Sequence, residues 1–193
     1  MEADELKEQL RKQINDIVHL TDEQMNLILS YFKPLRVKRN ELLLSAGQQS
    51  QYMNFVGKGC LRIFFIKQDG QEVTRYLAFE NIFATGLASF IARQPSMEYM
   101  QAMEHSDILR IHHDDFYYLL EVIPAWEKFF RNYLESAYMN NLDIYQREVT
   151  KDAEERYKEL VSKHPAVVLR LPNKVVATYL NMSPETLSRM KKK

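Results

Sequence analysis

Cysteine occurs once in the 193 residues, at Cys60. A single thiol closes no internal disulfide and supplies no iron–sulfur cluster. Net charge is missing as well, since 26 Lys and Arg balance 26 Asp and Glu. No apolar run approaches the ~20 residues that span a bilayer. The N-terminal MEADELKEQLRKQ is charged where a signal peptide would be apolar. A cytoplasmic protein without membrane contact is expected. Enzyme signatures are absent too: there is no G-x-S-x-G, no Walker loop, no His-Glu helix pair and no haem-attachment motif. His105, His112 and His113 lie close in sequence, but no cysteine or second histidine pair completes a ligand set. Asp114 and Asp115 stand just before an apolar helix, where they serve as N-cap and first-turn charge rather than as a catalytic pair. No enzyme activity, no cofactor and no metal are expected.

The zero net charge conceals an asymmetry. Residues 151–193 carry ten Lys and Arg against five Asp and Glu, a net of +5, and residues 1–150 carry the compensating −5. A basic end on an acidic body suits a nucleic-acid-binding segment tethered to another domain.

Apolar periodicity divides the chain. Leu6, Leu10, Ile14, Ile17 and Val18 recur at helical steps over residues 3–19. Thr21 with Gln24 forms the pattern of a capping box for a second helix, which Pro34 is expected to end. From Leu35 the apolar residues fall in short runs punctuated by Gly47, Gly57, Gly59 and Gly70. The clearest hairpin is 61–66 and 73–77 around Asp69-Gly70, and the last strands are expected at 99–104 and 107–111. Short, regularly spaced strands predict an antiparallel β-roll of jelly-roll type. A short helix follows and closes at Pro124, and then an uninterrupted helical stretch runs from Ala125 to about Thr150. Its broad aromatic band includes Trp126, Phe130, Tyr133, Leu134, Ala137 and Tyr138. At roughly 1.5 Å per residue it is long for a small domain, so part of the band is expected to meet a second copy.

After a polar hinge, Ala153, Tyr157, Leu160 and Val161 form the buried face of a further helix, which His164-Pro165 is expected to stop. The chain then reaches PNKVVATYLNMSPETLSRMKKK, which reads as helix, turn and helix. Val175, Val176, Tyr179 and Leu180 give the first helix its apolar face. Ser183 is a good N-cap and Pro184 suits the first helical position. Leu187 and Met190 share one face, which leaves Glu185, Thr186, Ser188 and Arg189 on or near the other.

The stretch Ser183-Pro184-Glu185-Thr186-Leu187-Ser188-Arg189 resembles the recognition-helix signature of the Crp/Fnr family of transcription regulators, often S-R-E-T-x-S/G-R. The resemblance extends over about residues 20–193. Phe55 to Arg62 looks like the strand, glycine turn and strand of the cyclic-nucleotide-binding β-roll, and Lys67 to Glu72 like its next hairpin. It implies an α+β chain in three parts: N-terminal helices and β-roll over 1–123, a dimerisation helix over 124–150, and a helix-turn-helix domain over 151–193. By the same resemblance Glu185 and Arg189 would read bases while Ser183 and Thr186 hold phosphates. Ser188, Lys191 and Lys192 would complete the DNA contacts. The partners implied are double-stranded DNA with a palindromic operator, a second copy of the chain, RNA polymerase and a small-molecule effector.

The chain departs from the family pattern in three places. Pro184 replaces the first arginine of the recognition helix, and only three lysines follow Met190, so no β-hairpin wing is expected. The G-E-L and R-S/T pattern that holds a cyclic nucleotide is missing; Ala84-Thr85-Gly86-Leu87 and Gln94-Pro95-Ser96 stand there, with Glu98 close by and Arg93 expected in solvent. Any effector pocket would involve Thr85, Gly86, Leu87, Ser96 and Tyr99, and control by cyclic AMP is not expected, since the phosphate would lack its charge-assisted partner. The rival reading is an effector-binding or protein-interaction roll whose degenerate C-terminal end binds no DNA specifically.

Overall fold

The computed structural model describes residues 1–191, among which lie nine helices and eight strands. No described helix is long and apolar enough to cross a membrane. The chain divides into two compact units, one of Met1–Ile63 with Leu77–Glu135, the other of Phe64–Tyr76 with the chain from Ser136 onward.

Local capping starts the first unit. Helix α1, Ala3–Asn15, and helix α2, Asp22–Tyr31, each open on a capping box. At α2 Gln24 N donates to Thr21 Oγ1 at 3.2 Å and Thr21 N to Gln24 Oε1 at 3.1 Å. Helix α1 stops at Asn15 rather than at residue 19, with Asp16 as its C-cap. Pro34 does not end α2; it lies within strand β1, Lys33–Val37. That strand is the edge of a sheet ordered β1-β8-β3-β6, where a missing N–H is tolerated. The other members are β3, Tyr52–Lys58, β6, Ile82–Ala84, and β8, Ser106–His112. A second sheet is ordered β2-β7-β4-β5, with β2 Leu42–Leu44, β7 Tyr99–Ala102, β4 Leu61–Ile66 and β5 Glu72–Ala78. The β3–β4 turn requires Gly59, whose φ is +104 and whose place would drive any Cβ into Ser106.

In β3 and β8 the side chains alternate. Met53, Phe55, Leu109 and Ile111 face a core completed by Leu6, Leu10 and Ile14 of α1 and by Met25, Ile28 and Leu29 of α2. Helix α4, His113–Val122, adds Phe116 and Leu119, and helix α5, Pro124–Thr150, adds Trp126 and Phe129. Trp126 stacks on Phe129 with ring centroids 4.4 Å apart and meets Phe32 edge-on at 6.4 Å. Burying a large apolar side chain of this kind contributes about 1.5–3 kcal/mol. The N-cap of α4 is His112, whose Nδ1 accepts from Asp114 N at 3.3 Å, so Asp114 and Asp115 are first-turn charges and neither is the cap. The His113 imidazole, 2.8 Å away, holds the Asp114 carboxyl below its usual range. Among the described residues no group of three or more His, Cys, Asp or Glu side chains gathers as a metal site would require.

The second unit is helical apart from the hairpin end it includes. Helix α6, Ala153–Lys163, opens on an Asp152–Glu155 capping box. Its Leu160 is buried, but Val161, expected on the same face, is exposed. Pro165 begins a helix instead of only ending one: it occupies the first turn of α7, Pro165–Arg170, where it lacks nothing the helix needs. Helices α8, Asn173–Tyr179, and α9, Pro184–Met190, follow. Leu160, Val167, Leu171, Val176, Leu180 and Leu187 make a small aliphatic core beneath them.

Candidate functional site

Helix α9 is positioned from both ends. Ser183 Oγ accepts from Thr186 N at 3.1 Å and caps it, with Pro184 in its first turn. Asn181 turns the chain with φ +49, a left-handed conformation that asparagine tolerates. Beneath the turn, Arg156 donates from Nε to Leu180 O at 3.1 Å and from NH1 to Lys151 O at 2.8 Å, tying α6 to the end of α8. Leu187 is wholly buried and Met190 half-buried, so both face inward as their spacing requires. Ser183, Glu185, Ser188, Arg189 and Lys191 are exposed, and Thr186 is half-buried. Lys192, with Lys193, lies outside the described residues.

These exposed groups form a continuous polar row. Ser183 Oγ and Thr186 Oγ1 lie 3.1 Å apart, and Arg189 NH2 donates to Thr186 Oγ1 at 3.3 Å. The backbone N–H of Glu185, followed by the Ser183 hydroxyl, holds the Glu185 carboxyl below its usual range, so at neutral pH it is an acceptor only. Lys191 Nζ donates to Asn173 Oδ1 at 2.5 Å, which brings a cation to the start of α8. Asn181 Nδ2 donates to Glu148 Oε2 of α5 at 2.7 Å. The hairpin end in this unit reaches α8 through a hydroxyl pair, Thr74 Oγ1 and Thr178 Oγ1, at 2.7 Å. Sequence reading missed that pair, because residues 104 apart carry no local signal.

The aromatic band of α5 separates into two parts. Trp126 is 0% exposed within its own unit, so it is a core residue and no interface residue, contrary to expectation. Phe130 and Tyr133 are half-buried against the same core, Phe130 meeting Phe116 at 5.0 Å. Leu134 and Ala137 are half-buried. Beyond them Tyr138, Tyr145 and Val149 stand 64%, 66% and 67% exposed at steps of seven and four, one stripe of the helix. Only Tyr138 of that stripe was among the expected interface residues.

In the roll, the residues expected around an effector are closed on their own backbone. Thr85 Oγ1 donates to Tyr52 O at 3.0 Å and lies 3.2 Å from Ser50 Oγ. Gly86 is buried so closely that a Cβ would lie 2.7 Å from Leu44 Cδ2. Ser96 Oγ accepts from Glu98 N at 2.9 Å and donates to Glu98 O at 3.2 Å. Leu87 and Tyr99 are half-buried. Arg93 is not in solvent: its guanidinium donates to Ser50 O at 3.1 Å and to Gln51 Oε1 at 2.6 Å. A pocket of about 410 Å³ adjoins this stretch, lined by Leu44, Ser50 and Gln51 together with Tyr52, Asn54, Met100 and Arg110. Its one signal in the sequence is a polar residue, Arg110, at a register position that alternates with apolar ones in β8.

Residues 34–122 match the cyclic nucleotide-binding domain. No curated protein matches the sequence. Among solved structures, FixK2 from Bradyrhizobium japonicum superposes with a TM-score of 0.75 at 12% identity, covering 83% of each chain. The c-di-GMP responsive global regulator CLP from Xanthomonas campestris gives 0.73 at 15% identity over 89% of this chain and 90% of its own. A crp/fnr-family transcriptional regulator from Eubacterium rectale gives 0.72 at 17% identity over 92% and 83%. At these identities the likeness establishes the fold: a cyclic-nucleotide-binding-type β-roll followed by a long helix and a helical C-terminal unit.

Proposed function

We propose that this chain, which has the fold of the Crp/Fnr regulators, is a cytoplasmic DNA-binding transcription regulator that works as a homodimer on a palindromic operator. The observation that carries the proposal is the α8–turn–α9 arrangement, with Leu187 wholly buried while Glu185, Ser188 and Arg189 project outward. Arg189 offers two parallel donors to the O6 and N7 edge of a guanine. Glu185 accepts only, which favours the amino group of a cytosine. Ser183, Thr186 and Lys191 supply phosphate contacts that orient the helix. The exposed stripe Tyr138, Tyr145 and Val149 is the dimer surface, since these apolar side chains have little cover among the described residues. Cyclic AMP is not the effector. Thr85 and Ser96 are engaged by backbone and Arg93 by Ser50 and Gln51, so a buried phosphate would find no counter-charge there.

A salt titration on specific and random duplexes tests this proposal. Arg189→Ala should flatten the preference at one base pair per half-site, with a loss of about 1–3 kcal/mol there, and leave most of the salt dependence. Truncation after Met190 should weaken all sequences alike and lower the salt slope by about 0.9 for each phosphate contact removed. Tyr138→Glu with Tyr145→Glu should yield monomers by light scattering. Affinity that is uniform across sequences and unaffected by Arg189→Ala supports the rival reading, which Pro184 favours by removing one arginine from the recognition face.

A further inference from the structure

The pocket beside Arg110 adjoins the stretch where a cyclic nucleotide would sit, since Ser50 and Leu44 of its wall touch Thr85 and Gly86, but its chemistry is different. Arg110 pairs with Asn54 across β8 and β3, on the face of the sheet opposite the aromatic core. Its guanidinium lies over the Tyr52 ring, 4.3 Å from the centroid, and the His112 ring meets Tyr52 edge-on at 5.3 Å. Stacking covers one face of the guanidinium and leaves the in-plane N–H groups to point outward. Among the described residues no carboxylate pairs with Arg110, and no Asp or Glu lines the pocket. Leu43, Leu44 and Met100 supply an apolar wall. The remaining wall is held in place: Gln51 Nε2 donates to Gln49 Oε1 at 3.0 Å, and Arg93 holds Gln51 from behind.

We infer that this pocket binds a small monocarboxylate with a short apolar body. The rigid fork of Arg110 matches a carboxylate bidentately. A phosphate dianion would call for more donors than one arginine provides, while a neutral ligand would leave the cation unanswered. The volume of about 410 Å³ falls within the size of small-ligand sites. Alternating polar and apolar walls fix which end of the ligand points at Arg110. The inference rests on the roll's being the sensing part of the regulator proposed above.

The test is a titration of the full-length, ¹⁵N-labelled protein with hexanoate, hexanamide and inorganic phosphate, followed by amide and guanidinium shifts. Hexanoate should shift the Arg110 Nε signal and the backbone of residues 48–54, with the other two compounds at least about tenfold weaker. Arg110→Gln should weaken hexanoate by about tenfold or more, and Arg110→Lys, which keeps the charge and loses the fork, by less. Unfolding midpoints check that the variants fold, and Tyr52→Leu, which removes the stacking platform, stands in if Arg110→Gln does not. The inference is overturned if millimolar hexanoate shifts nothing in the roll, if phosphate binds as well as hexanoate, or if the variants bind hexanoate like the wild type. Sequence-selective DNA binding without hexanoate binding rejects the pocket alone, and hexanoate binding without DNA selection rejects the proposed function alone.

Discussion

The β-roll unit and helices α6–α9 are cored by different kinds of side chain. The largest fully buried residues of the roll unit are Trp126, Phe32, Phe55, Phe90, Phe116 and Phe129, whereas the helices close over Leu160, Val167, Val176, Leu180 and Leu187. Interlocked aromatic rings give the roll a stiff body in which a pocket keeps its shape. A few aliphatic residues give the helices enough burial to hold a polar row outward and little more, since small domains bury a smaller share of their surface. In α9 one apolar residue, Leu187, is wholly buried, and the outward positions are left free to carry chemistry.

Substitution separates the two cores most sharply. Trp126→Ala should cost about 3–5 kcal/mol and lower the unfolding midpoint of the roll. Leu187→Ala should cost about 2–5 kcal/mol, confined to α6–α9. Trp126 is the only tryptophan, so its fluorescence reports the roll alone. In Leu187→Ala, helical circular dichroism should be lost ahead of the tryptophan transition. A single coincident transition would show one cooperative core and break the comparison. Ser183→Ala should cost about 1 kcal/mol through the lost N-cap, with DNA affinity falling while roll fluorescence stays unchanged.

Acid should act on the helical unit first. Glu159 is held down to about 2 by its hydrogen bonds to Lys151, at 2.8 Å, and Lys163, at 2.5 Å. A carboxyl with its folded pKa lowered contributes stability that is present above its ordinary 4.5 and lost as pH falls toward 2. Both lysines are solvent-exposed, so screening holds the effect to about 0.5–1 kcal/mol. Glu159→Gln should remove that part of the acid dependence of α6–α9 unfolding, followed by circular dichroism between pH 5 and pH 2.

Legibility in the sequence followed locality. Ser183 and Pro184 at the start of α9, the Thr21–Gln24 box and the Asp69-Gly70 hairpin are each decided within a few residues, and each stands where expected. Proline misled at Pro34, which fits an edge strand as well as it ends a helix, whereas His164-Pro165 follows the end of α6 where expected and Pro165 also opens α7. Trp126 looked like part of one continuous band, yet its fate was fixed by Phe32 and Phe116, which sequence spacing does not relate to it. Arg110 and Tyr52 meet through the register of β3 on β8, a pairing set by the whole sheet. The polar row of α9 was readable because one short helix and its caps hold it, and the pocket was not because four strands and a loop share it.

Selection from a pool of random duplexes by the purified wild-type protein is the most direct test of the α9 row. Two recognition helices on a dimer should enrich a two-fold palindrome whose half-sites lie about 10 base pairs, or roughly 34 Å, apart. Within each half-site one guanine should depend on Arg189. A pool that remains unenriched after repeated rounds, or an enriched site that is unchanged with Arg189→Ala, would contradict the account.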